Sequence, residues 1–340
     1  LEEIFVATPD FIKAPIALIN NLLLPHPKAP KVDLSGKVII ITGASLGSIG
    51  FESALTFISW GAKVCVTART KENADRCLQA LKNKITSDNI EAHALDLQNE
   101  KSVVEFSAWF KARYNRLDVL LNNAGIFLDV LGQWQEPHLS DDGFELHWRV
   151  NFLGSVQLTY ELLPLLKKTA KEQGEARIVN VSSHMHDNCK NEEIFSGLAP
   201  YKSVKAYGRS KLALNHFTFF LHKKLFASDN VKTICLHPGS IYTNLVEKGL
   251  AGNPTLLTVR AKLAWIEKLI LLNPIEGAQT QILCASSPDI KSGAYYRRCK
   301  VEKHSPSLDQ PEIAEKLWQQ SLVWLQSVNP AITSNITTNL

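Results

Sequence analysis

Six short runs constrain this 340-residue chain more than anything else in it: KVIIIT (37–42), KVCVTA (63–68), IEAHAL (90–95), LDVLLN (117–122), ARIVNVS (176–182) and VKTICLH (231–237). They are apolar or β-branched and mostly lack the polar–apolar alternation of a strand with one wet face. Each therefore reads as a strand covered on both sides. Longer stretches with helical spacing separate them, including Phe51 to Trp60, Lys101 to Tyr114, Phe152 to Leu166 and Val204 to Leu225. Strand and helix in alternation predict an α/β chain with a parallel sheet doubly wound by helices. At this length, with 45% hydrophobic residues, one domain with decorated ends fits better than two independent ones.

Charge excludes one class of partner. The 37 basic and 33 acidic residues are interspersed and form no basic stripe, so nucleic acid is not an expected partner. The six cysteines (65, 77, 189, 235, 284 and 299) include no C-x-x-C, and Cys65, Cys235 and Cys284 sit in apolar runs. Reduced thiols and a cytosol-facing protein, not a secreted one, are the expectation. No run of about 18 apolar residues predicts a spanning helix. Residues 1–33 form an N-terminal arm in which Ile12, Ile16, Ile19 and Leu23 recur at helical spacing. Residues 9–25 are thus either packed on the body or a peripheral membrane contact. A polar tail covers 327–340.

Two motifs carry chemistry. ITGASLGSIG (41–50) lies between the first strand and the first helix, where a glycine turn sets backbone N–H groups and the positive helix end against a pyrophosphate. AYGRSK (206–211) places Tyr207 and Lys211 four residues apart, on one face of a helix. An adjacent cation stabilises phenolate. Bringing a phenol from a pKa of about 10 to about 7 takes roughly 4 kcal/mol, which Lys211 and a cofactor charge could share.

With IVNVSSHMH, LLNNAGI, RVNFLGS and LHPGSIYTNL also present, residues 34–326 resemble the short-chain dehydrogenase/reductase family. The resemblance implies a Rossmann-type fold and an alcohol dehydrogenase or carbonyl reductase. Tyr207 would be the general acid/base, Lys211 its pKa tuner and ribose ligand, Ser183 the hydrogen-bond partner of the substrate oxygen, and Asn151 the holder of a proton-relay water. Gly43, Gly47 and Gly50 would form the phosphate turn, and Asp96 and Leu97 would meet the adenine. Asn123, Ala124 and Gly125 would line the nicotinamide side, although Asn123 and Asn151 could instead staple strand ends. Pro238, Gly239 and Thr243 would hold the carboxamide. The turn departs from the family spacing by one residue: Ser48 and Ile49 stand where one residue is usual. Ser48 is expected as a bulge, with Ser45 and Ser48 offering hydroxyls to the phosphates.

VCVTART (64–70) closes the second strand, and its Arg69 has no acidic residue beside it, which favours NADP(H) over NAD(H). EGAQTQILCASSPDIKSGAYYRRCK and AEKLW resemble the retinol-dehydrogenase branch, which implies retinoid, steroid or lipid aldehyde substrates. Residues 245–274, rich in Leu, Ile and Trp, are the expected substrate lid, although core or a dimer-covering helix would also suit them. His184 and His186 lack a third ligand at metal-binding spacing, so no metal is expected. A homodimer is left open. The competing readings are a non-catalytic NADP(H) sensor or scaffold and a reductase of small polar carbonyls.

Overall fold

The protein, seen in a computed structural model, is described for residues 26–196, 198–241 and 271–329. Residues 9–25, Thr243, most of the expected lid and the tail beyond 329 lie outside the described residues.

Parallel strands β1 (Val38–Ile41), β2 (Lys63–Ala68) and β3 (Ile90–Ala94) alternate with helices α1 (Ile49–Ser59) and α2 (Lys71–Lys84). Helix α3 (Glu100–Arg113) then crosses to β4 (Val119–Asn122), which pairs with β1 on its other side. Beyond it come a single helical turn α4 (Leu146–Trp148), a π turn over Arg149–Leu153, α5 (Gly154–Gln173) and β5 (Ala176–Val181). The short α6 (Asn191–Ser196), the long α7 (Ser203–Asp229) and β6 (Val231–His237) follow. The chain closes with α8 (Pro274–Ser286), the hairpin of β7 (Tyr295–Arg297) and β8 (Lys300–Glu302), and α9 (Pro311–Val328).

The strand order is β3-β2-β1-β4-β5-β6-β7-β8, parallel except for the last pair. Successive connections run outward from β1 in one direction and from β4 in the other. A crevice therefore opens at the carboxyl ends of β1 and β4, the switch point where open α/β sheets bind ligands.

Alternate side chains of β1 feed opposite faces of the sheet. Val38 and Ile40 join the cluster under α3, α5, α7 and α9, whereas Ile39 and Ile41 join the one under α1, α2 and α8. This explains the bare apolar runs, since both faces of the central strands are covered. On the first face α9 lies across α7, and Trp318 packs its ring on Phe220 at 4.4 Å and on Tyr160 at 4.9 Å. On the second, residues 27–33 run along α8: Ala29 N–H donates to Gln279 Oε1 at 3.0 Å, and Ala29 and Val32 pack into the cluster. All six cysteines are free. No described helix is long and apolar enough to cross a membrane.

Candidate active site

The glycine turn is held from below. Thr42 Oγ1, at the end of β1, accepts the N–H groups of Asn123 (3.0 Å) and Ala124 (2.9 Å). Asn123 Nδ2 in return donates to the carbonyls of Thr42 (2.7 Å) and Gly43 (3.2 Å). Asn123 thus staples β4 to the turn. The fit is close, because a Cβ on Gly43 would lie 2.8 Å from Ala124 Cα and one on Gly50 would lie 2.6 Å from Asn123 Nδ2.

The extra residue is not a loose bulge. Ser48, with φ −95° and ψ 162°, is the N-cap of α1, and its hydroxyl accepts the N–H of Phe51 at 3.2 Å. Its own N–H closes a turn onto Ser45 O at 3.0 Å. Gly47 takes φ +75°, and a Cβ there would meet nothing within 4 Å. The turn therefore has open space above it, beside the first-turn amides of Ile49 and Gly50, which have no intrahelical acceptor. A phosphate fits such a cradle. Ser48→Ala should remove about 1 kcal/mol of cap stabilisation. In thermal denaturation that corresponds to a melting temperature lower by about 2–4 °C. An unchanged Tm would show that the cap contributes nothing.

Across the crevice, β5 delivers Ser183 and α7 delivers Tyr207 and Lys211. Ser183, extended at φ −152°, caps the 3-10 turn His184–Asn188, its hydroxyl accepting the N–H of Met185 at 3.3 Å, and it lies beside the Tyr207 phenol. Burial pushes that phenol up to about 12, with the Ser183 contact offsetting part of the rise. Lys211 Nζ donates to Val181 O at 2.9 Å and lies 5.7 Å from the Tyr207 ring centre. Burial holds the Lys211 ammonium down to about 8. The expected tuning of the phenol by Lys211 is thus opposed by desolvation, which disfavours the charged form of both groups.

Asn151 sits in the π turn, fully buried. Its Oδ1 accepts the N–H of Ile126 at 2.8 Å, and its Nδ2 donates to Ile126 O at 3.0 Å and to Ser210 Oγ at 3.1 Å. Between these groups the backbone of Gly125 runs so close that a Cβ would lie 3.2 Å from Asn151 Oδ1 and 3.3 Å from Lys211 Nζ. Single π turns concentrate at functional sites, and this one places Asn151 beside Lys211.

The remaining described candidates lie just beyond the carboxyl ends of β2, β3 and β6. Arg69 is exposed just beyond β2, and Asp96 Oδ1 accepts the N–H of Gln98 at 2.9 Å. Leu97 is buried, and its carbonyl accepts Arg149 Nη1 at 2.8 Å. Pro238 and Gly239 follow β6, Gly239 with φ +99°. His184 Nδ1 lies 3.2 Å from His237 Nε2. Among the described residues no group of three His, Cys, Asp or Glu side chains could hold a metal ion.

Sequence reasoning did not single out Thr42, Phe127, Glu145, His147 or Arg149. Thr42 had a local signal, a hydroxyl directly before the first glycine. Phe127, His147 and Arg149 are recognised by partners far along the chain, and Glu145 by the His147 ring it holds.

Residues 37–253 match the family model described as short chain dehydrogenase. The chain belongs to that family. Within it the chain falls in a retinol-dehydrogenase-like branch. It is 33% identical to human (Homo sapiens) retinol dehydrogenase 11 over 300 residues, covering 85% of this chain and 86% of that one. With mouse (Mus musculus) retinol dehydrogenase 14 the identity is 34% over 307 residues, again covering 85% and 86%. Among solved structures, a protein of Mycobacterium paratuberculosis superposes with a TM-score of 0.65 at 25% identity, covering 89% of this chain and 97% of that one. The Pseudomonas aeruginosa RhlG/NADP active-site complex superposes with 0.60 at 25% identity, covering 78% and 96%. This short chain dehydrogenase is accordingly an oxidoreductase of a fold that binds a nicotinamide cofactor.

Proposed function

We propose that the protein is an NADP(H)-preferring alcohol dehydrogenase/carbonyl reductase acting on a hydrophobic alcohol/carbonyl pair of the retinoid, steroid or lipid aldehyde class. The observation that carries this reading is the meeting of Ser183, Tyr207 and Lys211 at the same crevice as the capped glycine turn. A bound nicotinamide supplies or accepts the hydride. The chain's own residues manage the oxygen and its proton. Ser183 donates a hydrogen bond to the substrate oxygen, and Tyr207, held protonated by burial, gives its proton to the developing alkoxide. Lys211 serves the ribose, while Asn151 holds the π turn beside it and a relay water. The glycine turn and the first-turn amides of α1 receive the pyrophosphate, with Ser45 and Ser48 beside it.

The cofactor preference rests on Arg69, exposed beyond β2 with Thr70 and Lys71 following and no acidic side chain in the position that would take a ribose 2′-hydroxyl. The solved neighbour that carries NADP supports it. Arg69→Asp should reverse the NADPH/NADH preference, because it removes the partner of a 2′-phosphate and adds repulsion. Tighter NADH than NADPH binding by the parent protein would overturn the assignment.

The substrate class is supported by the relatives named retinol dehydrogenases and by the apolar composition of residues 245–274, proposed as the lid. NADPH oxidation measured with retinal, a steroid ketone, a long-chain aldehyde and a small polar ketone tests it. The hydrophobic members should be turned over with the higher kcat/KM, and preference for the polar ketone would reject the class.

A further inference from the structure

Phe127 and Tyr207 stack at 4.4 Å with their planes 20° apart, and the His147 ring stands edge-on to Tyr207 at 6.2 Å. The backbone on either side of Phe127 is gripped by two side chains four residues apart. Asn151 pairs with both polar groups of Ile126, and His147 Nε2 accepts the N–H of Leu128 at 2.9 Å. Accepting there requires an unprotonated Nε2, which puts the ring proton on Nδ1. Nδ1 faces Glu145 Oε1 at 2.6 Å. Glu145 also caps α4, accepting the N–H groups of His147 (3.1 Å) and Trp148 (2.9 Å), and it receives the Tyr201 hydroxyl at 3.0 Å. Burial raises the Glu145 carboxyl, but the hydrogen bonds it accepts from the His147 side chain and from the His147 and Trp148 N–H groups offset that, and it lies below the usual carboxylate range. The carboxylate therefore stays charged, the tautomer stays fixed, and His147, wholly buried, has both nitrogens engaged.

We propose that Glu145 and His147 are positioning residues: the pair clamps Leu128 and so keeps Phe127 flat against the Tyr207 ring, fixing where the phenol proton is delivered. This rests on the reading of Tyr207 as the proton donor. A positioned acid tolerates little displacement, and a misplacement of about 1 Å can cost about 100-fold in rate. The clamp bears on the chemical step and not on the cofactor turn, which Thr42 and Asn123 hold independently.

The experiment compares His147→Leu, His147→Gln and Phe127→Leu with the parent and with Tyr207→Phe, measuring kcat and KM on the best carbonyl of the panel and the NADPH Kd. Leucine cannot accept from Leu128 N–H. Glutamine offers an acceptor oxygen and a donor NH2 group, so it can reproduce both contacts of the neutral ring. His147→Leu should lower kcat about tenfold or more with NADPH Kd held within about twofold, and His147→Gln should recover most of that loss. Phe127→Leu, which leaves the Leu128 contact in place, should lower kcat to a similar extent. Equal impairment by Leu and Gln, or a His147→Leu kcat within about twofold of the parent, overturns the proposal. If His147→Leu does not fold, Phe127→Leu decides: a lowered kcat supports the clamp and an unchanged one rejects it. Full turnover by Tyr207→Phe would remove the functional reading itself, an outcome separate from any behaviour of His147.

Discussion

Tyr207→Phe should turn substrate over at least about 100-fold more slowly than the parent, the low end of what a lost general acid costs. NADPH affinity should barely change, because phenylalanine keeps the ring that stacks on Phe127 and loses only the hydroxyl that meets Ser183. The two quantities separate in steady-state kcat against a fluorescence titration of NADPH. Since burial pushes the phenol up to about 12, the proton that is lost is one the parent carries throughout the neutral range. Activity that survives the substitution would mean another group protonates the alkoxide.

Gly43→Ala should be the most damaging single methyl in the nucleotide turn. Its φ of +70° costs an L-residue roughly 1–2 kcal/mol. The new Cβ would also lie 2.8 Å from Ala124 Cα and 2.9 Å from Ala124 Cβ, backbone and near-backbone atoms that Thr42 holds in place. Overpacking of that kind costs about 1–3 kcal/mol more. The sum is about 2–5 kcal/mol, which lowers Tm by roughly 4–20 °C at 2–4 °C per kcal/mol. NADPH Kd should rise more than about tenfold, because β4 can relieve the clash only by moving away from the turn. Gly47→Ala is the internal control. It has nearly the same φ, +75°, but no neighbour within 4 Å, so it should show the backbone cost alone. Equal destabilisation by the two would remove the contact with Ala124 from the explanation.

The sheet was legible because its signal is local. The six apolar runs fall within one or two residues of β1 to β6, and β2 and β6 span the same residues as their runs. The three-residue strands β7 and β8 are too short to show any periodicity, so the hairpin came only from the structure. Tyr207 and Lys211 could be paired from their four-residue spacing on a helix. The balance of charge around them could not, because it depends on burial beneath a whole sheet. Ser48 could be counted as an extra residue, yet its role as a cap depends on backbone angles no spacing reveals. Glu145 and His147 gave no signal at all, and Arg149 stood in RVNFLGS with nothing to mark its partner. His147 meets Leu128 across 19 residues of sequence and Arg149 meets Leu97 across 52. In sequence they are polar letters at the head of an apolar helix.

The docking of α9 on α7 also sets an order of events during synthesis. Helices α5 and α7, the latter carrying Tyr207 and Lys211, leave the ribosome well before Leu317, Trp318 and Leu325 exist to cover them. Until those residues arrive, Phe220 and Tyr160 present aromatic surface to water, the kind of surface that draws chaperones or neighbouring nascent chains. Helix α7 is thus made early and sheltered late, its apolar face waiting on the segment from Pro311 to Val328.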